Sequence, residues 1–179
     1  MRILAISGSL RANSINTILV HAIMKLAPEN MEFALYDGLN DLPHFSPDID
    51  VEDTPPSVAS LRRQLQEADG VLICTPEYAY GMPGSLKNML DWTVSSGEFV
   101  GKPVVAISAS PSFMGGDKAH ASLLLTLTAL SATIVEGGTL IIPLIRTKLD
   151  TNGNVSDSAT VDALRSVLAA LAQAINVNA

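Results

Sequence analysis

A chain of 179 residues, 47% apolar and only 16% charged, reads as one well-buried globular domain spanning residues 1–179 and excludes disorder. Its formal net charge of −7 argues against nucleic acid or an anionic membrane as partner, but a local pocket can still be positive enough for a phosphorylated small molecule. A lone cysteine, Cys74, allows no intramolecular disulfide; with no signal-peptide core and no apolar run of bilayer length, the chain is expected to be soluble and cytoplasmic.

Arg2 to Ser7 is a short apolar run bounded by Gly8, as expected of a strand buried on both faces. From Ser14 to Ala27, Ile15, Ile18, Leu19, Ala22, Ile23 and Leu26 fall at helical spacing, and Pro28 closes the helix. Met31 to Tyr36 is a second strand. Residues 37–55, with Pro43, Pro47, Pro55, several Asp and little periodicity, form a long loop of the kind that is often functional or partly mobile. Val58, Leu61 and Leu65, followed by Ala68, mark a helix.

Gly70 to Thr75 is a third buried strand, and the position of Cys74 within it marks a structural thiol rather than a nucleophile. Pro76 to Gly84 must turn sharply, and a helix follows from Ser85 to Val94. Lys102 to Ser108 is a fourth strand, opening into Ala109 to Gly116. The helix from Asp117 to Leu130 is apolar almost all round, which calls for cover on more than one side, by the sheet and by a second subunit. Thr133 to Ile142 is a fifth strand, Asp150 to Ser156 a turn, and Val161, Leu164, Leu168, Leu171 and Ile175 define a last helix.

Strand and helix thus alternate five times, which demands a three-layer α/β architecture: a doubly wound, five-stranded parallel sheet covered on both faces. The common order for such a sheet is the flavodoxin-like 2-1-3-4-5, with ligands at the carboxyl ends of the strands. A TIM barrel would need more units and many more residues.

Three loops leave those carboxyl ends: residues 7–16, 75–84 and 108–116. The first, Ser7-Gly8-Ser9-Leu10-Arg11-Ala12-Asn13-Ser14-Ile15-Asn16, joins a strand to a helix start. Unpaired amides, hydroxyls and a guanidinium make it either a phosphate seat or a plain N-cap with Arg11 solvated. The second offers backbone amides around Glu77-Tyr78 and an aromatic edge suited to a planar ring. The third has Ser108, Ser110 and Gly115-Gly116, where backbone can pass close to a ligand. A phosphate and a flat heteroaromatic describe a mononucleotide. Neither G-x-G-x-x-G after the first strand nor G-x-x-x-x-G-K-[ST] occurs, which points to flavin mononucleotide over a tightly held NAD or a triphosphate.

Gly8-Ser9-Leu10-Arg11 with Ser14 and Asn16, then Thr75-Pro76-Glu77-Tyr78, then Pro83-Gly84 and Leu86-Lys87-Asn88 with Asp91-Trp92, resembles the NADPH-dependent FMN reductase family, which includes quinone, chromate and azo-dye reductases. The resemblance implies FMN phosphate on Ser9, Arg11, Ser14 and Asn16, flanked by Asn13 and Ile15. It implies the isoalloxazine against Pro76, Glu77, Tyr78, Ala79 and Gly81 and against Ser108, Ser110, Gly115 and Gly116. NADPH or NADH would be the donor, and free flavin, a quinone, chromate or an azo compound the acceptor. A homodimer or homotetramer is implied too, with the Lys87–Trp92 helix near the subunit contact. Two departures stand out: Ala79 where the family usually has Asn, and Asp117-Lys118-Ala119-His120 where it tends to show Arg and, two residues on, Gln.

Several positions carry two readings. Glu77 is a solvated turn residue, or it serves the cofactor edge or a subunit contact. His120 is a partly buried satisfied histidine or a proton donor. Lys87 with Asp91 is a surface i,i+4 ion pair or a contact across a dimer. No His/Cys/Asp cluster has metal-ligand spacing, and no side-chain acid or base is required, so no catalytic residue is assigned. The alternatives to an FMN-dependent NAD(P)H oxidoreductase are a flavodoxin-type carrier without NAD(P)H chemistry and a binding module for another phosphorylated ligand.

Overall fold

The computed structural model describes residues 1–50 and 54–178; residues 51–53, part of the expected 37–55 loop, and Ala179 lie outside the described residues. The five apolar runs form β1 (Arg2–Ser7), β2 (Glu32–Tyr36), β3 (Gly70–Thr75), β4 (Pro103–Ala109) and β5 (Thr133–Ile142), all parallel. Their order is β2-β1-β3-β4-β5, the flavodoxin-like arrangement expected of the sequence.

Side chains of a strand alternate between faces, so a strand apolar at every position needs cover on both. Ile3 and Ala5 of β1 and Leu72 and Cys74 of β3 pack with Leu19, Val20 and Ile23 of α1 (Ile15–Leu26) and Leu164, Leu168 and Leu171 of α5 (Ser158–Asn178). On the other face Leu4, Ile6, Val71 and Ile73 pack with α2 (Pro56–Glu67), α3 (Gly84–Asp91) and α4 (Asp117–Ala129). Each buried Val, Leu or Ile among these contributes roughly 1.5–3 kcal/mol. Burial therefore places the helices, and local propensity only sets their ends. Ser14 caps α1, its hydroxyl accepting from Asn16 N at 3.2 Å. Cys74 is fully buried, and that burial pushes its thiol pKa well up, as suits a structural thiol. In α4, Leu123 and Leu127 point inward, while Leu125 is 74% exposed.

The long loop after β2 contains two 3₁₀ turns, Gly38–Asp41 and Pro47–Ile49, which the sequence pattern did not reveal. It is pinned to the helix layer. Asn88 accepts from Phe45 N at 2.8 Å and donates to Pro43 O at 2.9 Å, and Trp92 Nε1 donates to the same carbonyl at 2.8 Å. The rings of Phe45 and Trp92 meet edge to face with centroids 5.2 Å apart. Asp50 pairs with Arg62 at 2.8 Å and accepts from Ser95, and that hydroxyl, with Arg62, holds its carboxyl below the usual range. Asn88 and Trp92 are thus committed within the chain, and Lys87 pairs with Asp91 on the helix surface.

Replacing Asn88 with Ala leaves the Phe45 N–H without its partner, so a loss of about 1–3 kcal/mol is expected. A lowered urea midpoint at unchanged slope is the corresponding reading.

Candidate active site

Parallel strands bring their carboxyl ends to one edge, and there Ser7 pairs with Cys74 and Thr75 with Ser108. The loops after β1, β3 and β4 therefore emerge side by side. The first crosses beneath α3 at Gly8, whose N–H donates to Cys74 O at 2.8 Å. A Cβ on Gly8 would stand 2.9 Å from Leu86 Cδ2, so any larger residue would require the Leu86 side chain to shift. Ser9 Oγ accepts from Arg11 N at 3.3 Å and lies 3.4 Å from Tyr78 Oη, linking the first loop to the second.

Asn16 is buried, and both ends of its amide are in use. Its Nδ2 donates to Ala109 O at 3.2 Å and its Oδ1 accepts from Cys74 Sγ at 3.2 Å. The side chain ties the start of α1 to β3 and β4.

The second loop turns through Ala79 (φ 49°) and Tyr80 (φ 61°), closed by Tyr78 N to Gly81 O at 2.9 Å and Gly81 N to Tyr78 O at 3.0 Å. Both central residues are left-handed, as in the tight hairpin turns that favour Asn and Gly. In the third loop Gly115 (φ 64°) passes so close to β5 that a Cβ would stand 2.6 Å from Ile141 Cγ2. Gly116 begins α4 without a side-chain cap of its own. The cap comes from the second loop: Glu77 Oε2 accepts from Lys118 N at 2.9 Å and Ala119 N at 3.0 Å. A carboxylate on the positive end of a helix is a favourable charge–dipole contact.

These loops enclose a cavity of about 110 Å³. It brings together Ser9, Arg11, Asn13, Ser14, Ile15 and Asn16 with Pro76, Glu77, Tyr78 and Ser110, all expected from the sequence. Ala79, Gly81, Ser108, Gly115 and Gly116 do not line it. Ser108 is fully buried, and its hydroxyl has no hydrogen-bond partner among the described residues. Ala109, Pro111 and Arg146 also line the cavity and were missed. The first two flank Ser110 and were within reach of loop reasoning, whereas Arg146 follows β5 and carries no local signal.

His120 is 6% exposed, its Nδ1 without a partner among the described residues, and burial lowers its pKa. Burial thus favours its neutral form. Lys118 is exposed, and its ammonium lies 3.0 Å from Asp117, which raises its pKa. Among the described residues no cluster of three or more His, Cys, Asp or Glu is placed to hold a metal. No helix among them is long and apolar enough to cross a membrane.

A family model described as NADPH-dependent FMN reductase matches residues 1–146. A quinone reductase of Escherichia coli (strain K12) is 33% identical over 179 residues, covering 98% of this chain and 95% of its own. An NAD(P)H-dependent FMN reductase of Pseudomonas aeruginosa is 32% identical over 173 residues, covering 96% of this chain and 93% of its own. Among solved structures, the flavoenzyme NAD(P)H:(acceptor) oxidoreductase FerB of Paracoccus denitrificans superposes with a TM-score of 0.89 at 31% identity, covering 98% of this chain and 97% of that one.

The chain belongs to the NADPH-dependent FMN reductase family. Its activity is flavin-mediated oxidation of NAD(P)H, with FMN and a nicotinamide donor as its cofactors. A flavodoxin-type carrier without NAD(P)H chemistry is not favoured. The departure at Ala79 takes on a physical meaning in this frame. The position is left-handed, and Asn adopts that conformation several-fold more readily than most residues, so Ala79 leaves the turn under strain as well as without an amide.

Glu77→Ala removes the only side-chain cap seen on α4, and a loss of roughly 0.5–2 kcal/mol is expected, read as a lower thermal midpoint. The pH dependence follows from His120. Its folded pKa lies below the ordinary value of 6.5, so below that pH the unfolded chain binds a proton that the folded chain refuses. The stability it contributes is complete above pH 6.5 and is lost as pH falls through the folded pKa. Unfolding measured between pH 5 and 8 is expected to show His120→Gln flattening the acid limb.

Proposed function

We propose that FMN places its phosphate on Ser9, Arg11, Ser14 and the first amides of α1, with Asn13, Ile15 and Asn16 beneath it. Its ring would rest against Pro76, Glu77, Tyr78, Ala79 and Gly81 on one side and against the loop carrying Ser108, Ser110, Gly115 and Gly116 on the other. One observation carries the reading: a serine-lined cavity at a helix start, whose Arg11 has no carboxylate partner among the described residues. Its size supports the same division of labour. About 110 Å³ is well below the roughly 300–1,000 Å³ of a pocket for a whole organic ligand. It suits the phosphate end, with the ring at the open mouth.

Bound FMN supplies the hydride and electron chemistry. The chain's own residues supply position. Asn16 holds α1 against β3 and β4, Glu77 locks the third loop to the second, and the strained 78–81 turn sets the ring edge. Amides at a helix start and in tight turns favour added negative charge, and no titrating side chain is needed to move a proton. Tyr80 and Phe113, 82% and 84% exposed, leave an apolar rim on the second and third loops. Such a rim fits a flat, weakly polar acceptor, so a quinone is the favoured acceptor among quinone, free flavin, chromate and azo compounds. The exposed Leu125 on α4 supports a second copy of the chain on that face, as a homodimer or homotetramer. A single buried thiol is in keeping with the reducing cytoplasm.

The test is an absorption spectrum of the purified protein, followed by NADPH and NADH oxidation with a small panel of acceptors, and light scattering for the assembly. A bound flavin spectrum and quinone-dependent turnover are expected. Colourless protein that gains no NAD(P)H oxidation on adding FMN would overturn the proposal.

A further inference from the structure

Arg146 stands in an unexpected place. It follows β5, the edge strand, yet it lines the same cavity as Ser9, Arg11 and Ser14 from the first loop. The turn that carries it, Ile145–Thr147, is fixed from several directions. Ile145 is fully buried in the core under α1 and α5, and its N–H donates to Ser110 O at 3.2 Å. Leu144 donates to Ser112 O at 3.1 Å, and the N–H and hydroxyl of Thr147 both reach Leu144 O at 2.9 Å.

Leu144 itself is left-handed, with φ 52°. A leucine resists that conformation, and such outliers persist only where surrounding structure enforces them, most often at functional sites. The consequence here is that the chain reverses after β5 and delivers Arg146 to the cavity wall.

The charges are as telling as the backbone. With 18 acidic residues against 11 Lys and Arg, surplus carboxylates surround most cations. Arg2, Arg62 and Arg63 each pair with one. Arg146, like Arg11, has no carboxylate or other side-chain partner among the described residues. Two guanidiniums without an ion-pair partner among the described residues share one small cavity with a single carboxylate, Glu77, which is bound to the start of α4, and this leaves a local anion site. A phosphate monoester is close to a dianion at neutral pH, so one guanidinium neutralises only about half of it.

We propose that Arg146 is a second guanidinium for the cofactor phosphate, closing from the β5 side the seat that Arg11 and α1 form from the β1 side. The inference rests on the FMN reading of the cavity.

The experiment compares FMN with riboflavin, which has the same ring and no phosphate, by quenching of flavin fluorescence on the flavin-stripped full-length protein at low and high salt. Wild type, Arg146→Gln and Arg146→Lys are titrated, with circular dichroism and thermal melts to confirm folding. Arg146→Gln is expected to weaken FMN about 10–100-fold, the range of one lost charged hydrogen bond, with riboflavin unchanged and a shallower salt dependence. Arg146→Lys is expected to recover part of the loss, keeping the charge without the fork. Unchanged FMN affinity in both variants overturns the inference, as does equal weakening of FMN and riboflavin, which would mark a structural role. Unchanged FMN affinity with a raised KM for NADPH also overturns it, and would assign Arg146 to the donor's phosphates. If wild type itself does not prefer FMN to riboflavin, the phosphate-seat reading fails first; if it does and Arg146→Gln changes nothing, only the role of Arg146 falls.

Discussion

The amide of Asn16 is the joint on which the site depends. A parallel sheet brings strand ends to one edge but leaves their loops free to splay, because each belongs to a different crossover. Asn16 removes that freedom with two contacts, accepting from Cys74 at the end of β3 and donating to Ala109 at the end of β4. Both ends of the amide are buried and satisfied, so any relative movement of α1, β3 and β4 would leave polar groups unpaired in a dry interior. The resemblance to FMN reductases placed Asn16 among the phosphate ligands. In the structure its amide holds the start of α1 to the ends of β3 and β4.

Glu77 plays the corresponding part between the second and third loops. Its carboxylate on the first amides of α4 replaces the missing cap at Gly116, and it fixes the height of the glycine-bearing loop against the 78–81 turn. The charge of this carboxylate is spent on the helix start. Arg11 and Arg146, which line the same cavity, have no ion-pair partner among the described residues.

The departures from the family pattern lie in the second loop and at the start of α4. Ala79 occupies a left-handed position, Lys118 puts a point charge where a guanidinium fork is usual, and His120 is turned into the interior, where burial favours its neutral form. Ala79 and Lys118 lie on the surface, whereas His120 is buried. Tyr80 and Phe113 are exposed on the second and third loops.

What the sequence determined by itself was whatever depends on local order. Apolar runs at strand spacing, helices at 3.6-residue spacing and their alternation specify a doubly wound sheet, since five units are too few to close an α/β barrel. The strand bounds of β1, β3 and β5 and the start of a helix after the Ser9–Arg11 loop were legible on those grounds. Tertiary structure decided everything that joins residues far apart in the chain. Pinning of the 37–50 loop by Asn88 and Trp92, the capping of α4 by Glu77, the burial of Ser108 and the arrival of Arg146 all rest on contacts between separate crossovers. Periodicity fixes which way a side chain faces, but only packing fixes what it meets.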